Sequence, residues 1–142
     1  TTLFRSDGRL HVIQALLPHS TTIANRVVDH VYRLYPNYRS YTDRLVSPIV
    51  RISSVRDTEM FQTYLWTCVL EQSPASIQQE LFPLCVMLYP TLRVNWELVR
   101  QMLSALSREF KQHIQAEYMQ YYLPYQDALW SMFSPNVFPD VL

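Results

Sequence analysis

The sequence predicts an all-α fold, a bundle of about six helices in a single domain spanning residues 1–142. Apolar residues recur at steps of three and four along nearly the whole chain, the period of a helix with one buried face. Prolines at 18, 36, 48, 74, 90 and 124 fall where those periodic runs begin, pause or end. No stretch shows the apolar–polar alternation of a half-buried strand. A chain of 142 residues, 49% hydrophobic and 13% aromatic, is long enough to bury its own core and too short for two such cores.

Taken in order, "RLHVIQALLPHS" predicts a first short helix that ends near Pro18. Ser20 then offers an N-cap for a helix over Thr21–Tyr35, with Ile23, Val27, Val31 and Leu34 as its apolar stripe and Pro36 as its stop. A short helical turn is expected over Tyr38–Tyr41, and an irregular or briefly helical stretch from Arg44 to Val55, interrupted by Pro48. Asp57 reads as the cap of "TEMFQTYLWTCVLEQ", in which Phe61, Tyr64, Leu65 and Cys68 share a face. Ser73-Pro74 starts a further helix to about Tyr89, ended by Pro90. The longest helix is expected over Thr91–Tyr122, where Leu92, Trp96, Val99, Leu103, Leu106, Phe110 and Ile114 form one stripe. Pro124 kinks it or opens a last helix, "PYQDALWSMF", and the tail "SPNVFPDVL" reads as extended.

The composition excludes several function classes. Gly8 is the only glycine, so a Gly-rich phosphate loop and a nucleophile elbow, each needing several glycines, are both absent. The histidines at 11, 19, 30 and 113 are scattered, and no Cys/His pair has metal-ligand spacing. Cys68 and Cys85 sit in the apolar stretches "LWTCVL" and "PLCVML", where thiols behave as small buried hydrophobes. Asp57 and Glu59 lie two apart and point to different helix faces, a poor arrangement for paired acid–base work. No catalytic residues and no metal ligands are therefore nominated, and the chain is read as non-enzymatic.

Twelve basic residues balance twelve acidic ones, which leaves no net field for nucleic acid or an anionic membrane. The longest apolar runs are far too short to cross a bilayer, so a cytoplasmic protein is expected. Eleven of the twelve basic residues are arginine. The spacings Arg26/Arg33 and Arg93/Arg100 are helical and could grip an anion, although solvated faces with local ion pairs account for them more simply. A start at Thr1 fits either loss of an initiator Met or a boundary inside a longer protein.

The order of elements brings a resemblance into view. "STTIANRVVDHVYRLYPNYRSYTD", with its Leu34-Tyr35-Pro36 junction, resembles the second and third helices of globins. "ELFPLCVMLYPTLRVNWELVRQMLSALSREF" is similar to the globin run into the long penultimate helix, and "EYMQYYLPYQDALWSMF" to the last one. The resemblance covers about residues 8–133 and implies a globin-like fold. It also shows a departure: the position of the heme-ligating imidazole falls near Tyr89, and no histidine lies between His30 and His113. Tyr41 also sits one residue early for the corner aromatic, and Pro124 breaks what should be a continuous last helix.

The resemblance therefore implies a heme-free globin-like regulatory or signalling interaction module, without a cofactor, resembling the sensor domains of bacterial stress-signalling proteins. Its interior would be lined by Tyr35, Tyr41, Phe61, Tyr64, Phe82 and Tyr89, together with Trp66, and either takes an apolar ligand or is filled by those side chains. Globin-like sensors dimerise through their last helices, which implies a homodimer or another protein partner meeting Tyr118, Tyr121, Tyr122, Tyr125, Trp130 and Phe133. The alternative is a tetrapyrrole carrier: heme held by Tyr89, Met87 or Cys85, or a bilin as in phycobiliproteins, which would need an exposed cysteine. In "HVYRLYPNYRSY", Tyr35, Tyr38 and Tyr41 are expected to cap the pocket corner, with Tyr32, Arg33 and Arg39 facing solvent.

Overall fold

A computed structural model describes residues 8–36, 48–92 and 94–138. Six α-helices make up most of these residues, and no strand occurs among them. They are α1 (Gly8–Leu16), α2 (Ser20–Leu34), α3 (Pro48–Glu71), α4 (Phe82–Thr91), α5 (Trp96–His113) and α6 (Leu123–Met132). A 3-10 turn, Leu17–His19, joins α1 to α2, a π-helical turn, Ile77–Leu81, leads into α4, and a 3-10 segment, Ala116–Tyr121, separates α5 from α6. The all-α, globin-like expectation holds. The expected turn over Tyr38–Tyr41, Arg39 and the side chain of Arg93 lie outside the described residues.

Helix α2 packs against both α3 and α5 and so forms the middle of the bundle. Its Ile23, Val27 and Val31 are buried as the stripe predicts, whereas Leu34 is 47% exposed because the last turn has already left the core. The helix begins at Ser20 itself, preceded by His19 with no side-chain cap. Tyr35, at φ −132°, ends it just before Pro36.

Helix α3 departs most from expectation. It runs unbroken from Pro48 to Glu71, so Asp57 is a mid-helix residue and caps nothing. Pro48 stands in the first turn, where a missing N–H is harmless. Val50, Thr58, Phe61, Leu65 and Cys68 share one buried face. Polar residues interrupt that stripe in sequence, but the Ser54 and Thr58 hydroxyls donate to the carbonyls of Val50 and Ser54, each at 2.8 Å, which lets them sit against apolar neighbours.

After Glu71 the chain turns at Gln72, whose φ of 55° is the one positive value among described non-glycine residues. The helical path then resumes at Ala75, as Ser73-Pro74 suggests. Pro83 has no N–H to give to the preceding turn, and the π-helical Ile77–Leu81 lies just before it, widening the coil where the α-ladder would break. Pro90 lies inside α4 near its end, and the Leu92 N–H closes the last turn on the Leu88 carbonyl at 3.0 Å.

Helix α5 is shorter than the apolar stripe suggests. Asn95 caps it, its side chain accepting from the Leu98 N–H at 2.8 Å, and Leu92, upstream of the cap, is 38% exposed. At the other end Ile114 is extended yet still buried, so the stripe outlives the helix that began it. Pro124 opens α6 rather than kinking α5. Residues 133–138 form turns instead of an extended tail: the Phe138 N–H bonds the Ser134 carbonyl at 3.0 Å, and the Phe138 ring stacks on Trp96 at 4.3 Å. Arg100, 4% exposed, fastens this end by donating to the carbonyls of Phe133 and Phe138 at 3.0 and 3.1 Å.

The main core gathers Leu16, Ile23, Phe61, Leu81, Leu106, Phe110 and Phe133 from every helix layer. A smaller cluster of Val31, Val50 and Leu98 seals the α2–α3–α5 corner, with Tyr32 and Tyr35 packed on it. Tyr32 is thus partly buried, where solvent was expected, because α3 begins early enough for Val50 to join the cluster it packs on.

Candidate functional site

The residues expected to line an interior pocket occupy the core itself. Phe61 is fully buried, and its ring meets Phe133 at 6.3 Å. Phe82 stands edge-on to Phe133 at 5.4 Å, and Tyr89 tilts against Trp96 at 6.2 Å. Tyr64 and Trp66 flank the same core. Tyr35 belongs to the separate corner cluster, and Tyr41 lies outside the described residues. The rings therefore fill the space they were expected to surround. A gap between Leu65, Leu106, Tyr122 and Leu129 amounts to about 10 Å³, at the lower limit for one water.

Two of the three heme ligands considered from sequence, Tyr89 and Cys85, are engaged with each other. Tyr89 is 6% exposed, and its hydroxyl is hydrogen-bonded to both Asp57 of α3 and the Cys85 thiol. Burial, with the Asp57 charge beside it, pushes its ionisation far above the ordinary phenol range. Burial also pushes the Cys85 thiol up to about 12. Met87 is 64% exposed on the outer side of α4. Asp57 is held above its usual value, chiefly by burial, while its bond from Tyr89 and the Arg56 charge oppose that shift.

Cysteine chemistry is closed as well. Cys68 and Cys85 are 0% and 1% exposed, and burial is the main cause that raises both thiols. A thioether forms from an accessible thiolate, which neither residue can present in this fold.

The residues expected at an interface divide into two groups. Tyr122 and Phe133 lie in the core, Tyr122 against Phe110 at 5.3 Å with its hydroxyl on Ser107. Tyr118, Tyr121 and Tyr125 are half-buried, and Trp130 is 44% exposed. Tyr118 stacks on His11 at 4.3 Å, while Tyr121 lies so close to Gly8 that a Cβ there would come within 2.0 Å of its ring.

A groove that sequence reading did not find lies along the α2–α3 seam. Asn25, Arg51, Ile52, Val55, Arg56 and Glu59 line it, and it holds about 330 Å³. Arg51 is fixed across the seam, donating to Asp29 at 2.6 Å and to Asn25 at 3.0 Å. Ile52 is 58% exposed and, with Val55, gives the groove an apolar strip between two guanidinium groups. The signal was missed because Arg44–Val55 read as an irregular or only briefly helical stretch. Once that stretch is helical, 52, 55, 56 and 59 fall on one face.

A family model described as phycobilisome protein matches residues 2–132. No curated protein matches the chain. The match agrees with the globin-like helical fold and with protein partners, since this is a family of bilin-carrying light-harvesting proteins that assemble with one another, and such proteins are pigment carriers rather than enzymes. It overturns the reading as a heme-free regulatory or signalling sensor and favours the tetrapyrrole alternative. No helix among the described residues is long and apolar enough to cross a membrane.

Proposed function

Because this chain belongs to the phycobilisome protein family, we propose that it carries a bilin-class linear tetrapyrrole and holds it by shape and charge, without a thioether. The family match over residues 2–132 carries this reading. The buried cysteines set its form: the thiols present do not fit covalent attachment, whereas the α2–α3 groove fits a flat apolar molecule bearing carboxylates. Arg51 and Arg56 would take the propionates in charge-assisted forks. Ile52 and Val55 would lie under the ring edges, and the Glu59 carboxylate would accept from pyrrole N–H groups. The pigment, when bound, supplies absorption of visible light. The chain supplies binding, orientation and exclusion of water, and catalyses nothing.

Within this reading the chain is cytoplasmic and pairs with a second copy or a related pigment protein. The supporting feature is the partly exposed aromatic surface of Tyr118, Tyr125 and Trp130. Replacing Trp130 with Glu should then return a monomeric mass in light scattering.

The test of pigment binding uses biliverdin as the probe. Added to the purified chain, it should develop an induced circular dichroism band in the visible, and all of it should leave the chain on denaturation. The variant Arg56→Glu should weaken binding about tenfold, the loss of one charge-assisted contact. Absence of an induced band, or colour that stays on the denatured chain, defeats the proposal.

A further inference from the structure

A second groove, on the other side of α2, has a different chemistry. It follows the α2–α5 seam, encloses about 340 Å³ and opens to solvent. Helix α2 contributes Arg26, Asp29, His30 and Arg33, and α5 contributes Arg108 and Glu109, with the Gln112 amide beside them. These residues are four apart or nearly so on each helix, so one face of each turns toward the seam.

The charges in this groove are unequally matched. Three guanidinium groups face two carboxylates, and each carboxylate has one oxygen taken by an arginine, while the buried Glu109 Oε2 has no partner among the described residues. Glu109 accepts from Arg26 at 3.1 Å, while Asp29 is taken from outside the groove by Arg51 at 2.6 Å. Among the described residues Arg108 has no carboxylate partner and donates instead to His30, its Nη2 lying 2.8 Å from the imidazole Nε2. That bond requires a neutral ring with its proton on Nδ1. Burial, Arg108 and Arg33 together lower the ring's affinity for a further proton, against the opposing Glu109. Arg33 lies on the same wall, one helical turn from His30. Arg33 and Arg108 therefore line one open volume together with the Gln112 amide, and among the described residues neither guanidinium is bonded to a carboxylate.

We propose that the α2–α5 groove is a binding site for a phosphate-class dianion, gripped by Arg33 and Arg108 and joined by the Gln112 amide. Arginine suits this task because its planar fork matches the oxygen spacing of a tetrahedral anion, which a flexible ammonium does not. On binding, Arg108 transfers donors from the imidazole to the anion, and the freed His30 Nε2 takes a proton from solvent and donates it as a hydrogen bond to the anion. The source of the anion is either the free ion or a phosphate ester on a small metabolite. Neither Arg33 nor Arg108 lines the α2–α3 seam, so the two grooves share no anion-gripping residue, although the Arg51–Asp29 ion pair joins their walls.

The test titrates the pigment-free chain with inorganic phosphate and, separately, with glucose 6-phosphate, with sodium chloride at matched ionic strength as control. The His30 ring resonances report binding. A saturable shift with either phosphate and none with chloride supports the site, and the tighter of the two identifies the source. Arg33→Gln and Arg108→Gln should each weaken binding about tenfold. Arg33, exposed at the end of α2, carries the test should the second variant disturb packing. Equal shifts with chloride, no saturation by about 10 mM phosphate, or unchanged affinity in both variants overturns the proposal.

Discussion

Replacing Arg100 with Met should detach the C-terminal end of the domain and remove a large part of its stability. The Arg100 side chain is 5% exposed and donates from Nη1 to the Phe133 and Phe138 carbonyls and from Nε to Glu97 at 3.2 Å. Methionine keeps most of the length and none of the donors. The Phe133 carbonyl lies in a buried bond, and leaving it without a donor costs about 1–3 kcal/mol. The Phe138 carbonyl is nearer solvent and recovers part of its loss from water, as does Glu97, whose side chain is 39% exposed. A net loss of about 3 kcal/mol follows, or roughly 10 °C in Tm for a chain of this size. Urea unfolding followed by fluorescence in a Trp66→Phe, Trp130→Phe background isolates Trp96, whose ring stacks on Phe138. Its emission should shift to the red in the native baseline, and the midpoint should fall with little change in slope. A loss below about 1 kcal/mol with unchanged Trp96 emission would refute the account of Arg100 as the fastening of this segment.

Two further outcomes follow from the same packing. Gly8→Ala would place a Cβ 2.0–2.7 Å from Tyr121 ring atoms, so thermal melts should show a loss of about 1–2 kcal/mol, and Tyr121→Ala in the same chain should relieve the clash. Asp57→Asn should raise the unfolding midpoint at neutral pH, because the amide still accepts from Tyr89 without a charge to desolvate. The native carboxyl binds its proton more tightly than the unfolded one, so its contribution is fully present below its ordinary value of 3.8 and is lost as pH rises through the raised native value. The advantage of the Asn variant should therefore shrink on acidification, and a constant advantage from neutral pH down to about pH 3 would argue against burial as the cause.

The fold was legible wherever apolar period and proline agreed. Ile23, Val27 and Val31 made α2 readable, and Pro36 marked its end. In α3 the same reasoning failed, because Ser54, Thr58 and Gln62 lie along the inner face, the hydroxyls bonding carbonyls of their own helix and the Gln62 amide N–H donating to the Ser20 carbonyl, which a hydrophobic pattern cannot register. In α5 the stripe was read correctly but its carrier was not: Ile114 stays buried in extended backbone, so apolar spacing overestimates helix length. The buried state of both cysteines could be read from their neighbours. The two arginine-lined grooves could not, since each depends on which helices meet along α2, and the globin-like resemblance alone did not separate a sensor from a pigment carrier.

The π-helical turn at Ile77–Leu81 acts as a gear setting for everything that follows it. One surplus residue in that turn rotates α4 by about 100° relative to a regular helix. As built, the rotation aims Cys85 and Tyr89 at Asp57 and leaves Met87 and Leu88 outside. A single-residue deletion between Gln78 and Glu80 would restore the ordinary pitch and re-index the helix by one tooth. Apolar side chains now at the surface would turn toward the core, and a thiol now sealed within it would turn outward. Whether Cys85 faces the core or the solvent is thus decided several residues upstream of it, by the length of one turn.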